Sequence, residues 1–278
     1  MMKNIIKNIV VLIALSVSNS TFSQTHFVKE SWENVLDIAK KENKLIFVDL
    51  YFNGCFPCKQ MDDKIFPDPK VAMVLNEAFV AFKSDIFKED IGKRISRKYG
   101  VALYPSFIVL DSTGNTLEVT SGYHTVEQFI GLLNKAKEKA VSKEFKSYSV
   151  GLEGDYPEFF SDAYLKNKRN VTFDVVDMYL KSQSNLSAEI PFAVITGLKV
   201  GGEYADYVID HAKDLTEAYG RVPVRNYIAH IVNNKAKRFG AEQNQEAFEG
   251  LLKKVKPSFT NQEWEKFNAS FQKKFKTN

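Results

Sequence analysis

Between Trp32 and Ala136 the apolar positions alternate between a helical and a strand rhythm. Trp32, Val35, Leu36 and Ala39 follow Ser31 at helical spacing, and Ser31 can cap a helix that ends near Glu42. Lys44 to Phe52 is an apolar run rich in β-formers, which reads as a buried strand. Asn53-Gly54 breaks that run. Pro57 suits the first turn of a helix, where its missing N–H costs nothing, and Lys59 to Ile65 can continue it. Asp68-Pro69 opens a further helical piece through Val71, Val74 and Leu75. Phe79 to Ser84 reads as a second strand, and Glu89 to Tyr99 as a charged helix closed by Gly100. Val101 to Leu110 reaches a third strand through Tyr104-Pro105. Asp111 to Asn115 is a hairpin turn into a fourth, Thr116 to Thr120. Thr125 then caps a closing helix carrying Phe129, Leu132, Leu133 and Ala136. From the first strand onward the order is βα(α)βαββα, an α/β fold.

After Ala140 the strand signals fade. Helical periods are expected at Tyr156–Lys166, Phe173–Lys181, Ala188–Leu198, Tyr204–Ala218, Pro223–Phe239, Ala247–Val255 and Asn261–Phe275. Thr260-Asn-Gln-Glu263 is a capping box ahead of the stripe Trp264, Phe267, Phe271 and Phe275. The pattern describes an all-α domain, a bundle or short solenoid of helix hairpins, although no 34-residue consensus repeats cleanly. The expected division is residues 24–140 for the α/β domain and 141–278 for the helical one. With 22 Phe, 12 Tyr and 44% hydrophobic residues, the composition suits two packed cores.

Residues 1–23 read as a secretory signal peptide. Lys3 and Lys7 give a positive start, Ile9 to Val17 an apolar centre, and Thr21-Phe22-Ser23 a small-residue cleavage site. The apolar run is about ten residues, against the roughly 20 a spanning helix needs. No cysteine for a lipoprotein anchor lies near the cleavage point. The expectation is an exported chain, periplasmic or secreted, with no membrane span after cleavage. The net charge of +4 is spread evenly, without the dense basic patch that nucleic-acid binding requires.

Candidate chemistry is confined to one short stretch. Cys55 and Cys58 are the only two cysteines in 278 residues. A pair so close cannot staple distant parts of a fold. Zinc would need two more ligands, and His26, His124, His211 and His230 are scattered singly. What remains is dithiol chemistry, in which one thiolate attacks and its neighbour resolves the mixed disulfide. Cys55 would sit at a helix N-terminus, where the macrodipole and unpaired N–H groups stabilise a thiolate.

A strand, a tight turn and a helix opening on Cys55-Phe56-Pro57-Cys58 resembles the thioredoxin superfamily. Phe66 to Val71, Leu75 to Val80 and Lys83-Ser84-Asp85 resemble its exported branch, related to the C-terminal domain of the disulfide reductase DsbD. The resemblance implies a thioredoxin fold over about 110 residues. It implies Cys55 as the attacking and more exposed thiol and Cys58 as the resolving one. Asp49, six residues before Cys55, matches the family's buried acid, which would accept the Cys58 proton. Pro105 matches the cis-proline, and with Tyr104 it would shape the substrate edge. Lys83 stands near the position of the lysine that partners the acid, one residue out of register. Gly54 replaces the usual tryptophan, removing an aromatic surface beside the nucleophile. Phe56 inside the motif would add an apolar contact for substrate. Potentials in the family span about −270 to −120 mV. A motif without histidine points away from the oxidising extreme.

The expected function is therefore an exported thiol–disulfide oxidoreductase that reduces or isomerises protein or peptide disulfides. It would need no metal or organic cofactor and would be recharged by a dithiol electron donor. The helical domain offers no visible chemistry and suggests docking of a protein partner. The alternative is a thioredoxin-like binding module whose helical domain is the working surface and whose C-x-x-C is regulatory or vestigial.

Overall fold

The computed structural model describes residues 24–277; the predicted signal peptide lies outside them. A five-stranded mixed sheet forms the first half. Its strands are β1 (Phe27–Val28), β2 (Leu45–Tyr51), β3 (Phe79–Asp85), β4 (Ser106–Leu110) and β5 (Thr116–Ser121), in the order β1-β3-β2-β4-β5. β2 pairs parallel with β3 and antiparallel with β4. Helices α1 (Trp32–Glu42), α2 (Phe56–Gln60), α3 (Pro69–Ala78), α4 (Asp90–Lys98) and α5 (Val126–Ser142) cover both faces. Ser31 caps α1, Asp68 caps α3, and Thr125 forms a capping box with Gln128 on α5. In each case a side-chain oxygen takes an N–H that the first turn leaves unpaired.

The second half is helical: α6 (Glu158–Leu165), α7 (Phe173–Lys181), α8 (Glu189–Gly197), α9 (Glu203–Asp210), α10 (Ala212–Tyr219), α11 (Arg221–Ala241), α12 (Gln245–Val255) and α13 (Asn261–Lys276). One helix expectation needs correction. The helix expected over Tyr204–Ala218 is two helices, broken at His211. The third strand follows Tyr104-Pro105 as expected, starting at Ser106, and Val101 to Pro105 is irregular chain. β1, an edge strand of two residues, had no legible pattern.

The larger correction concerns the core. Two apolar clusters exist, but the sheet divides them, not the boundary between the halves. Strand side chains alternate faces. Phe47 on β2 joins Met61, Val71, Leu75, Phe107, Phe129 and Leu133 on one side. Ile46, Val48 and Leu50 join α1 and α4 on the other, in a cluster that runs on through Phe160, Phe192, Val224 and Phe271 of the helical half. Gly197 and Gly100 let the two backbones approach, since a Cβ at Gly197 would lie 3.1 Å from Gly100 Cα. The buried ammonium of the junction is paired. Lys98, 2% exposed, donates to Ser149 Oγ (2.9 Å) and Glu189 Oε1 (2.7 Å), and Glu189 Oε2 accepts from Ser149 N (2.8 Å).

At the end of the sheet, β5 is covered. Lys146 N donates to Thr116 O (2.7 Å), Lys139 Nζ donates to Leu117 O (3.3 Å), and Asn226 Nδ2 of α11 donates to Ser121 Oγ (2.8 Å).

Candidate active site

β2 delivers Asp49 into the sheet and then releases the chain at Phe52. Gly54 makes the turn with φ 95, in the region that favours glycine. A Cβ there would meet nothing within 4 Å, so backbone conformation, not space, keeps a tryptophan out. Cys55 then caps α2: its Sγ accepts from Cys58 N at 3.3 Å, and its carbonyl accepts from Lys59 N at 3.0 Å. Pro57 sits in the first turn of α2, as its missing N–H allows. The helix passes directly into a π-helical segment, Met61–Ile65, so the axis continues beyond the five residues of α2.

Cys55 and Cys58 are joined by a disulfide, with Cα atoms 5.3 Å apart. They line a cleft of about 440 Å³ with Phe52, Phe56, Lys59 and Asp62. Cys55 is 6% and Cys58 4% exposed, so the expected contrast in exposure is slight. The asymmetry between them lies in position, Cys55 being outside the first turn and Cys58 within it. Phe56 is 72% exposed beside them. Among the described residues, no group of three or more His, Cys, Asp or Glu side chains could hold a metal ion.

This stretch lies in a thioredoxin-like domain: residues 32–137 match that family. Over those residues the chain belongs to the thioredoxin-like family. Its thioredoxin-like domain is similar to the C-terminal domain of Neisseria meningitidis DsbD in the oxidised form, with 22% identity over 40% of this chain and 98% of that one and a TM-score of 0.35. It is similar to a proposed disulphide-isomerase from Bacteroides thetaiotaomicron, at 30% identity, 41% and 94% coverage and TM-score 0.38. It is also similar to a thioredoxin from Thermus thermophilus, at 19% identity, 44% and 93% coverage and TM-score 0.39. No curated protein sequence matches the chain.

Within the thioredoxin-like domain Asp49 is buried on the same face as Phe47. Burial pushes its carboxyl up to about 7, and the nearby Asp62 charge adds to the rise while Lys83 opposes it. One carboxylate oxygen, Oδ1, has no hydrogen-bond partner. The other, Oδ2, lies 3.7 Å from Lys83 Nζ, which also donates to Asp62 Oδ1 at 2.6 Å. Lys83 was the residue that the resemblance placed out of register. Its neighbour relation comes from the pairing of Asp49 with Lys83 across β2 and β3.

The Tyr104–Pro105 peptide bond is cis, and Pro105 O accepts from Gly122 N at 2.8 Å. The Tyr104 ring meets Phe52 edge-on (5.4 Å between centroids), and Phe52 meets Phe87 in the same way (5.5 Å). Phe87 is 47% exposed, so this row of rings runs from the Tyr104-Pro105 loop to the surface. No local pattern marks Phe52 or Phe87 as partners, because their contact depends on tertiary placement.

Proposed function

We propose that the protein is a thiol–disulfide oxidoreductase that reduces or isomerises disulfides in exported proteins or peptides. The observation that carries this reading is the Cys55–Cys58 bond at the start of a helix, lining an open cleft in a thioredoxin-like domain.

In the reduced protein the Cys55 thiolate attacks one sulfur of a substrate disulfide. That S–S bond breaks, a Cys55–substrate disulfide forms, and the other substrate sulfur leaves as a thiolate. Cys58 loses its proton to the Asp49 carboxylate and attacks Cys55 Sγ. The internal disulfide closes and the second substrate thiol departs, so two electrons have passed to the substrate. A dithiol protein then returns Cys55 and Cys58 to the reduced state. An acid that titrates near 7 can take the proton and give it back at neutral pH. Gly54, Phe56, Tyr104 and Pro105 border the substrate path. In the isomerising direction Cys55 is released by a different substrate thiol, and no net electrons move.

A Cys58→Ser variant tests the reading. Incubated with disulfide-bearing proteins, it is expected to accumulate mixed disulfides at Cys55 that reducing agent releases. An empty trap, with no insulin reduction by the purified protein, would favour a binding module instead. The potential against glutathione sets the direction.

A further inference from the structure

A second cavity lies where the helical half meets the sheet, and no step of disulfide exchange uses it. Its volume is about 110 Å³. Apolar cavities of roughly 150 Å³ take up a benzene-sized guest, so this one suits a ring or a branched chain of similar bulk. Val101 and Val119 wall it from the thioredoxin-like side, and Val222 and Pro223 of α11 from the other. Leu103 and Ser106, on either side of Tyr104-Pro105, also line it, so the cavity touches that loop without including a cysteine.

The charges around it are one-sided. No Asp or Glu lines the cavity, whereas Lys199 and His230 do. Lys199 follows α8 with φ 56, a conformation usual for glycine or asparagine, and its side chain is exposed. Its ammonium has no hydrogen-bond or ion-pair partner among the described residues. Burial, aided by the Lys199 charge, holds His230 below the usual histidine range, so at neutral pH it adds a donor without a second full charge. A lone ammonium beside a hydrocarbon-lined space is complementary to an anion carried on a hydrocarbon group.

We propose that this cavity binds a small monocarboxylate with a ring-sized or branched hydrocarbon group, its hydrocarbon among Val101, Val119 and Val222 and its carboxylate on Lys199. The site is independent of the exchange reaction proposed above. Its test therefore reads binding alone.

Benzoate and isovalerate are titrated into the full chain at pH 7 and low salt, followed by amide chemical shifts. Saturable shifts are expected around Val101, Val119, Lys199 and Val222. Lys199→Gln should weaken binding about tenfold, the equivalent of roughly 1.4 kcal/mol for one charge-assisted contact. Benzamide, with the same ring and no charge, should be weaker to a similar degree. Val222→Phe, or Ala102→Leu if the first does not fold, should fill the space and abolish saturation. The proposal is overturned if neither acid saturates, if the shifts cluster elsewhere, if benzamide binds as well as benzoate, or if a folded, filled variant still binds.

Discussion

Lys83 Nζ stands 3.7 Å from the buried Asp49 Oδ2 and, on its other side, hydrogen-bonds Asp62 at the cleft. One cation is thus shared between an enclosed carboxyl and an exposed one. Burial raises the Asp49 carboxyl from 3.8 to about 7, and the shared Lys83 offsets only part of that rise.

Stability should follow that titration. Between about pH 4 and pH 7 the folded protein holds a proton on Asp49 that the unfolded chain releases, so stability falls as pH rises through this window. Asp49→Asn removes the effect. A three-unit shift corresponds to about 4 kcal/mol, reduced by the lost Lys83 contact. The variant should be more stable than the parent by about 1–3 kcal/mol at pH 8 and nearly equal to it at pH 4. Urea denaturation at the two pH values measures this. A difference that stays flat would mean that the carboxyl ionises as it does in water.

Asp62→Asn should act in the opposite sense on Asp49. Removing that charge takes away a cause of the raised value and leaves Lys83 to Asp49 alone. The pH midpoint of mixed-disulfide resolution by Cys58 should move to lower pH, with the reaction otherwise intact. Stopped-flow measurement across pH 5 to 9 reads the midpoint. An unmoved midpoint would separate Asp62 from the proton step.

Phe56 makes little of the fold and much of the rim. At 72% exposure, its replacement by alanine should change stability by less than about 0.5 kcal/mol. Loss of an apolar contact with a protein substrate is worth roughly 1.5 kcal/mol, or about tenfold in kcat/KM. Glutathione disulfide, which offers no such surface, should react unchanged. Equal losses with both substrates would assign Phe56 to the cysteines and not to recognition.

The junction between the halves supplies another test. Lys98→Met leaves the half-buried Glu189 without its ammonium partner and should cost about 1–3 kcal/mol, whereas Lys98→Met with Glu189→Leu should recover most of that loss. Because one apolar cluster crosses the junction, calorimetry should show a single transition for the whole chain. Two resolved transitions would mean that the halves melt separately.

The parts legible in the sequence were those set by local rules. Ser31, Asp68, Thr125 and Thr260 all cap helices where their side chains suggested. Phe173–Lys181 was bounded to the residue. Cys55-Phe-Pro-Cys58 announced both the turn and the helix start. What escaped depends on neighbours distant in the chain. The contact of Lys83 with Asp49 needs the β2–β3 register, the two-residue β1 needs β3 to exist, and the break at His211 falls inside an unbroken apolar period. The shared core escaped for the same reason, since periodicity says that a face is apolar but not what covers it.

The covering of β5 reaches beyond its own stability. A sheet that ends in open N–H and C=O groups is a template for pairing with another molecule. Here Lys146 and the flank of α11 occupy that border, and on the opposite side Phe27–Val28 pairs with Ala81 and Phe82 of β3. A sheet bordered in this way leaves other chains little edge on which to add a strand.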